Sequence, residues 1–389
     1  MTTSEFDPDT GLVTTSTDRT AKGEERTTAY TYTTSGDVRT VAIDGATIVT
    51  YTYDDSGRRV GAAYANGTTM AIAFDATSRV ASRTYTFADG STARDALTYS
   101  PSGRRLSHSI TGPDGTATFD YEYNRDGRLI DTRATGTLAM TATRWQSDYA
   151  GPEGAAGDRA AQTVTGPDGT TMTSTFAYGE NNRPIATTKA AIAGDLPADA
   201  AGRITRIGTV DVTRNALGQI TSASEGTRTV SFARDASGVI GRRYVNTNPA
   251  DPADVTANLS GNGLVLDGDG RIAGVIAAAD GASVALNAAG DAVRWSYTDL
   301  LGNTTWRAGG DGIPGATRLY GPDGDRIAGP AQSRIRTSLD LANAGQGWQS
   351  EVGGVTVPLS AGIVVLGART YSPDLGLPAL SRVGEVERR

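Results

Sequence analysis

YTYDDSGRRV, residues 51–60, holds in ten residues the unit from which much of the chain is built. With Gly57 as position zero, Tyr51 and Tyr53 stand at −6 and −4, Asp54 at −3, Arg58 at +1 and Val60 at +3. Side chains alternate along a strand, so two aromatics two residues apart make one buried stripe. Asp at −3 and Gly at zero are the first and last residues of a type I turn, where the carboxylate takes backbone N–H bonds and Gly accepts positive φ. The apolar residue at +3 opens the returning strand. The Arg at +1 is expected on a neighbouring Tyr ring or paired with the next repeat's Asp.

The frame recurs along the chain. YEYNRDGRLI sets Tyr121, Tyr123 and Asn124 before Gly127, with Arg128 and Leu129 after it; LTYSPSGRRL supplies Leu97, Tyr99, Gly103, Arg104 and Leu106. IAFDATSRV replaces the glycine by Ser78, and YTYTTSGDV places Tyr30 and Tyr32 before Gly36. Later copies centre on Gly218, Gly238, Gly270 and Gly290, and FAYGENNRPI, with Tyr178, Asn182 and Arg183, reads as an eroded one. Between them lies a second set of turns: GPDG at 112–115, 166–169 and 321–324, ANG at 65–67 and ADG at 88–90. Two turns per unit make each unit a hairpin, and a hairpin that cannot bury its own apolar face must stack on its neighbours.

Composition agrees. The chain has 389 residues, of which 49 are Gly, about one in eight against a usual ~7%, so the backbone turns often and an all-helical fold is excluded. There is no Cys, which removes disulfides, thiolate metal sites and cysteine nucleophiles, and His108 is the sole imidazole, which excludes multi-histidine metal sites. Its setting, RRLSHSI, alternates like an ordinary strand. Net charge is −7, the wrong sign for a dedicated nucleic-acid binder, although all of the 36 basic residues except Lys22 and Lys189 are Arg. No apolar run approaches a membrane span, and the N-terminal stretch MTTSEFDPDTGLVTTSTDRT carries no signal-peptide pattern. LDGDGRI, with Asp267 and Asp269, lacks the first acid of a calcium loop and has Ile276 where the closing Glu belongs; GNG at 261–263 lacks a third Gly and a following helix. Singled-out acids stand at turn positions, so no catalytic, cofactor or metal residue is assigned.

The repeated YxYDxxGR frame resembles that of the YD-repeat, or Rhs-repeat, family, from about Phe6 onward. The C-terminal part of the chain adds to it. Trp295, Tyr297, Asp299, Gly302 and Trp306 are similar to the segment before the end of an Rhs core. VVLGARTYSPDLG, with Gly367, Arg369, Tyr371, Pro373 and Gly376, is similar to the Rhs-associated core signature. The Arg-rich, Lys-poor usage resembles actinobacterial members most.

This resemblance implies an all-β fold, a spiralling strip of β-hairpins forming a hollow shell, with residues 1–290 as the repeat shell and 291–389 as the core region closing it in one continuous unit. It also implies a non-catalytic scaffold, secreted or cell-surface, around the C-terminal toxin of a polymorphic toxin. Further N-terminal shell or secretion modules are implied partners. The alternative is a teneurin-like adhesin with a glycan or protein receptor. Only the short segment Leu377 to Arg389 follows the signature, so the toxin cargo is expected outside this chain. Shells of this family that release cargo rely on aspartates soon after the signature; here no Asp follows Asp374, and the chain is expected not to cut itself. About 28 strands at ~4.8 Å each give a strip some 130 Å wide before it coils. RWQSDYAGPEGAAGDRAAQ (144–162), AAIAGDLPADAAG (190–202) and NTNPADPADVTANLSGNG (246–263) break the phase and are expected as surface excursions, the second Ala-rich enough for a helical turn.

Overall fold

The computed structural model describes the chain except residues 151–156, 235–239, 247–254, 260–262, 280, 331–353, 357–358, 360–362, 367–368, 374–376 and 379–389. Gly238, Gly367, Asp374 and Gly376 therefore lie outside the described residues.

Among the described residues, 17 strands from Thr2–Phe6 to Gly194–Asp195 form one sheet, and 11 strands from Arg206–Ile207 to Thr304–Ala308 form a second. Every pairing is antiparallel and joins a strand to the next in sequence, for example Ala46–Tyr53 to Arg59–Tyr64 and Arg59–Tyr64 to Thr69–Phe74. A two-stranded ribbon (Leu319–Tyr320, Arg326–Ala328) and a four-stranded sheet from Gly354–Thr356 to Leu377–Pro378 follow. Helical structure among the described residues is confined to 3-10 turns at Glu180–Asn182 and Ala190–Ile192, the latter inside the Ala-rich excursion.

The hairpin tips repeat one geometry. Gly57 N donates to Asp54 O (2.9 Å) and Asp54 N to Arg58 O (2.9 Å), and Gly57 has φ +76°. Tyr53 then faces Arg59 after a register shift, which is a type I turn closed by a glycine bulge. The same bond pair recurs at Ser100–Arg104, Asn124–Arg128, Asn215–Gln219, Asp267–Arg271 and Asn287–Asp291. Where glycine is missing the φ persists: Ser78 at +63° and Asn182 at +54° carry the left-handed conformation themselves. These tips line one edge of the strip, and the second set of turns lines the other.

Two of the excursions prove to be in phase. Asp199, Gly202 and Arg203 form a regular tip, with Leu196 buried at −6 and Ala198 at −4. Its aliphatic stripe hid it among the alanines. Between 144 and 162, Tyr149 keeps the place of the −4 tyrosine and Gly157 that of the bulge glycine.

The second sheet lies against the first. Its aromatic face, Trp295, Tyr297 and Trp306, is fully buried with Tyr64, Tyr85 and Phe87 of the first sheet in one cluster. A second cluster gathers Ile192, Ile207, Val210 and Val230 with Val265, Ala285, Ile363 and Val365, on the other face of the second sheet.

Candidate functional site: the repeat ladder and its closure

The residues of the frame assemble into a ladder along the tip edge. Tyr53 Oη donates to Val38 O (2.6 Å), Tyr32 Oη to Val13 O (2.6 Å), Tyr178 Oη to Arg159 O (3.0 Å) and Tyr149 Oη to Leu129 O (3.3 Å). Each −4 tyrosine thus ties its hairpin to the return strand of the preceding one. The +1 arginines run the opposite way. Arg58 lies 4.4 Å from the centroid of Phe74, Arg79 4.6 Å from Tyr99, Arg104 6.0 Å from Tyr123 and Arg128 5.4 Å from Tyr149. The ring contact is as the sequence suggests, but the carboxylate partner is not the next repeat's. Arg58 Nε bonds Asp54 (2.8 Å) and Arg79 Nε bonds Asp75 (2.8 Å), each inside its own tip. The four-residue turn brings +1 back beside −3, closer than any neighbouring tip.

These bonds, with backbone N–H groups, hold the Asp54, Asp75 and Asp199 carboxyls below their ordinary range: for Asp75 the Thr77 hydroxyl contributes most, for Asp54 and Asp199 the N–H of the +1 Arg. The preceding repeat's arginine also packs on the next bulge glycine. A Cβ on Gly127 would stand 2.7 Å from Arg104 Nη2, and one on Gly157 2.9 Å from Arg128 Nη2. The −6 and −4 positions are unequal: Tyr51 is buried, whereas Tyr53 and Tyr123 are half-buried because their hydroxyls reach the rim.

The last frame of the second sheet is displaced. Asp299, Gly302 and Asn303 make the usual tip bonds, but Gly302 follows Gly290 at about half the usual interval between tips, so this tip falls on the opposite edge of the strip. Trp295 and Tyr297 consequently occupy −7 and −5 of it, which continues the inward face of the preceding hairpin, where Val284 pairs with Trp295. Tyr297 sits 5.0 Å from Tyr85 and 5.5 Å from Phe87 in tilted and edge contacts; its hydroxyl donates to Thr68 Oγ1 (2.9 Å) and accepts from Asn66 Nδ2 (2.8 Å). Tyr85 Oη donates to Gly281 O (2.6 Å), and Arg83 Nη1 to Thr298 O (3.1 Å).

Further along, Asp114 of the first GPDG turn accepts from Thr317 N (2.9 Å). Asp323 of the third GPDG holds buried Arg159 (2.9 Å) and Gln162 Nε2 (2.8 Å). Tyr371 of the terminal signature donates to Asp323 O (2.8 Å), and Pro373 O accepts from Lys189 Nζ (3.5 Å). Arg369 lies in the strand Arg369–Ser372.

His108 is a buried strand residue with Nε2 3.3 Å from buried Asp95 Oδ2, which also accepts the Leu300 N–H. Beside them Asp299 accepts from Leu301 N, Asn303 and Thr305 Oγ1, while burial pushes its carboxyl up. His108, Asp299, Leu301 and Asn303 border a cleft of about 370 Å3 that Tyr121, Tyr123 and Tyr320 also line. Sequence alternation placed His108 on a strand but could not place Asp299, which comes far later in the chain, beside it.

No protein-family model matches the chain, and no curated protein matches it. Solved structures do. The crystal structure of TcdB2-TccC3 is similar over 99% of this chain at 17% identity with a TM-score of 0.74, the match covering 21% of that chain. The same complex without its hypervariable C-terminal region matches over 99% at 16% identity and a TM-score of 0.74, and the Photorhabdus luminescens Tc holotoxin pore over 99% at 16% and 0.75. Each of these two matches covers 20% of the other chain. The fold is that of an Rhs/YD-repeat shell. This chain spans about a fifth of the length of the chains it matches.

Proposed function

We propose that the chain is a non-catalytic scaffold, residues 1–290 forming wall and residues 291–389 closing it, in a shell that encapsulates the C-terminal toxin of a secreted Rhs/YD polymorphic toxin of actinobacterial type. The cargo lies outside this chain. The observation that carries the reading is the antiparallel strip whose last hairpins turn back and bury Trp295, Tyr297 and Trp306 against its own wall, in a fold shared with TccC3-containing complexes over 99% of the chain. A strip closed on itself separates an inside from an outside, which is what a protein needs to hold a second polypeptide away from solvent. The repeat residues hold the wall, the terminal signature supports the closure, and further N-terminal shell or secretion modules complete the particle.

Protease protection tests it. The natural downstream segment, expressed joined to this chain with whatever shell precedes it, should resist proteinase K under conditions that digest the segment alone. Equal digestion rates would overturn the reading. The adhesin alternative, with its glycan or protein receptor, draws less support, because the ladder rings Phe74, Tyr99, Tyr123 and Tyr149 each carry an arginine and the hydroxyls of Tyr32, Tyr53, Tyr149 and Tyr178 are spent on backbone carbonyls.

A further inference from the structure

The ribbon and the end of the second sheet bring four arginines onto one face. Arg307 lies opposite Ser296, and Arg294 is two residues from Ser296 on the same side of that strand. Arg318 N donates to Thr305 O (2.8 Å), which sets the ribbon alongside the strand carrying Arg307. Arg318 and Tyr320 are two residues apart, hence on one side, and Arg326 lies opposite Tyr320. Arg294, Arg307 and Arg318 are half-buried and Arg326 is exposed.

Among the described residues, no carboxylate pairs with Arg294, Arg318 or Arg326. Of the acids in the neighbouring turns, Asp323 holds Arg159 and Gln162, Asp299 is bonded within its own tip, and Asp311 takes the Ile313 N–H. Burial, together with Arg326 and Arg294, lowers the pKa of Arg318. Like charges gathered in a partly desolvated place cost free energy unless an anion joins them. Planar guanidinium forks beside a phenol hydroxyl suit the oxygens of a phosphate or carboxylate.

We propose that the face formed by Arg294, Arg318 and Arg326 around Tyr320, next to Arg307, is an oxyanion-binding site, taking a phosphate or carboxylate group that neutralises these three arginines.

Thermal melting at constant ionic strength tests this, with inorganic phosphate and a glutamate oligomer compared against chloride. A ligand that binds only the folded state raises the melting temperature saturably; phosphate or the oligomer should add about 3 °C over chloride. Whichever saturates at the lower concentration identifies the source as free phosphate or an acidic segment. Arg318→Gln should abolish the gain and, by relieving repulsion, melt above the parent in chloride, while Arg318→Lys keeps part of the response. Exposed Arg326→Gln carries the test if Arg318→Gln fails to fold, and Arg19→Gln on the far end of the strip should respond like the parent. Neither anion exceeding chloride, or a full response in both Arg→Gln variants, would overturn the proposal.

Discussion

At the level of single residues the tip edge is a set of interlocking local bonds, and the two aromatic positions do different jobs. Tyr51 fills the inward face; Tyr53 spans two hairpins by its hydroxyl. Tyr51→Ala should cost about 3 kcal/mol or more, as for a large buried ring. Tyr53→Phe should lose about 1 kcal/mol, the worth of one hydrogen bond, with Tyr53→Ala between the two. Urea denaturation of the three variants checks the order, and Tyr53→Phe melting with the parent would remove the hydroxyl from the account.

The turn aspartates set the acid limit. Their folded-state pKa values lie below the unfolded ones, so their contribution is complete above about pH 4 and is lost as pH falls through the folded values. Melting temperature should therefore hold from pH 7 to about 5 and drop below about 4, with a shallower drop in Asp75→Asn. A drop of equal depth in that variant would exclude Asp75 from the acid transition.

At the level of elements, the ribbon Leu319–Ala328 is tied to the first sheet by Thr141 N donating to Ile327 O (2.8 Å) and by one buried ion pair. Arg159 loses its water inside the protein, yet Asp323 holds it protonated. Asp323→Ala takes the carboxylate from that buried cation and should destabilise by about 3–5 kcal/mol, whereas removing both charges in Arg159→Met/Asp323→Ala should recover a good part. A double-mutant cycle measures it; strict additivity would refute the coupling. Such joints explain what was legible in the sequence. Asp or Asn at −3 and Gly at zero act within one turn of the chain, so the tips, their spacing and the β class could be read directly. Whether Asp323 meets Arg159, or Tyr297 meets Tyr85, depends on how the strip winds between these distant segments, and no local pattern encodes that. The tip at Asp199–Gly202 was missed for a third reason: Leu196 and Ala198 satisfy the inward face without rings.

At the level of the molecule, the absence of any aspartate after Asp374 in the sequence bears on release of a C-terminal segment. The aspartate-dependent cut that the Rhs resemblance implies would use such a carboxylate as general acid or base. The purified chain should remain one intact species for days at neutral and mildly acidic pH. Mass spectrometry finding a stoichiometric break between Tyr371 and Arg389 that Asp374→Asn abolishes would make the chain an autoprotease.

Among the described residues each strand pairs with its predecessor and successor in the chain, and this also has a mechanical outcome. A chain gripped at one end and pulled meets the sheet one hairpin at a time, unzipping a few hydrogen bonds per step rather than shearing a whole sheet at once. The same order run backwards lets strands add one by one as the chain emerges from a ribosome or a translocation pore, with contacts local enough to form quickly. The late-arriving Trp295, Tyr297 and Trp306 then act as the latch that sets, and a pull from the C-terminal side reaches that latch only after the ribbon and the four-stranded sheet that follow it in the chain.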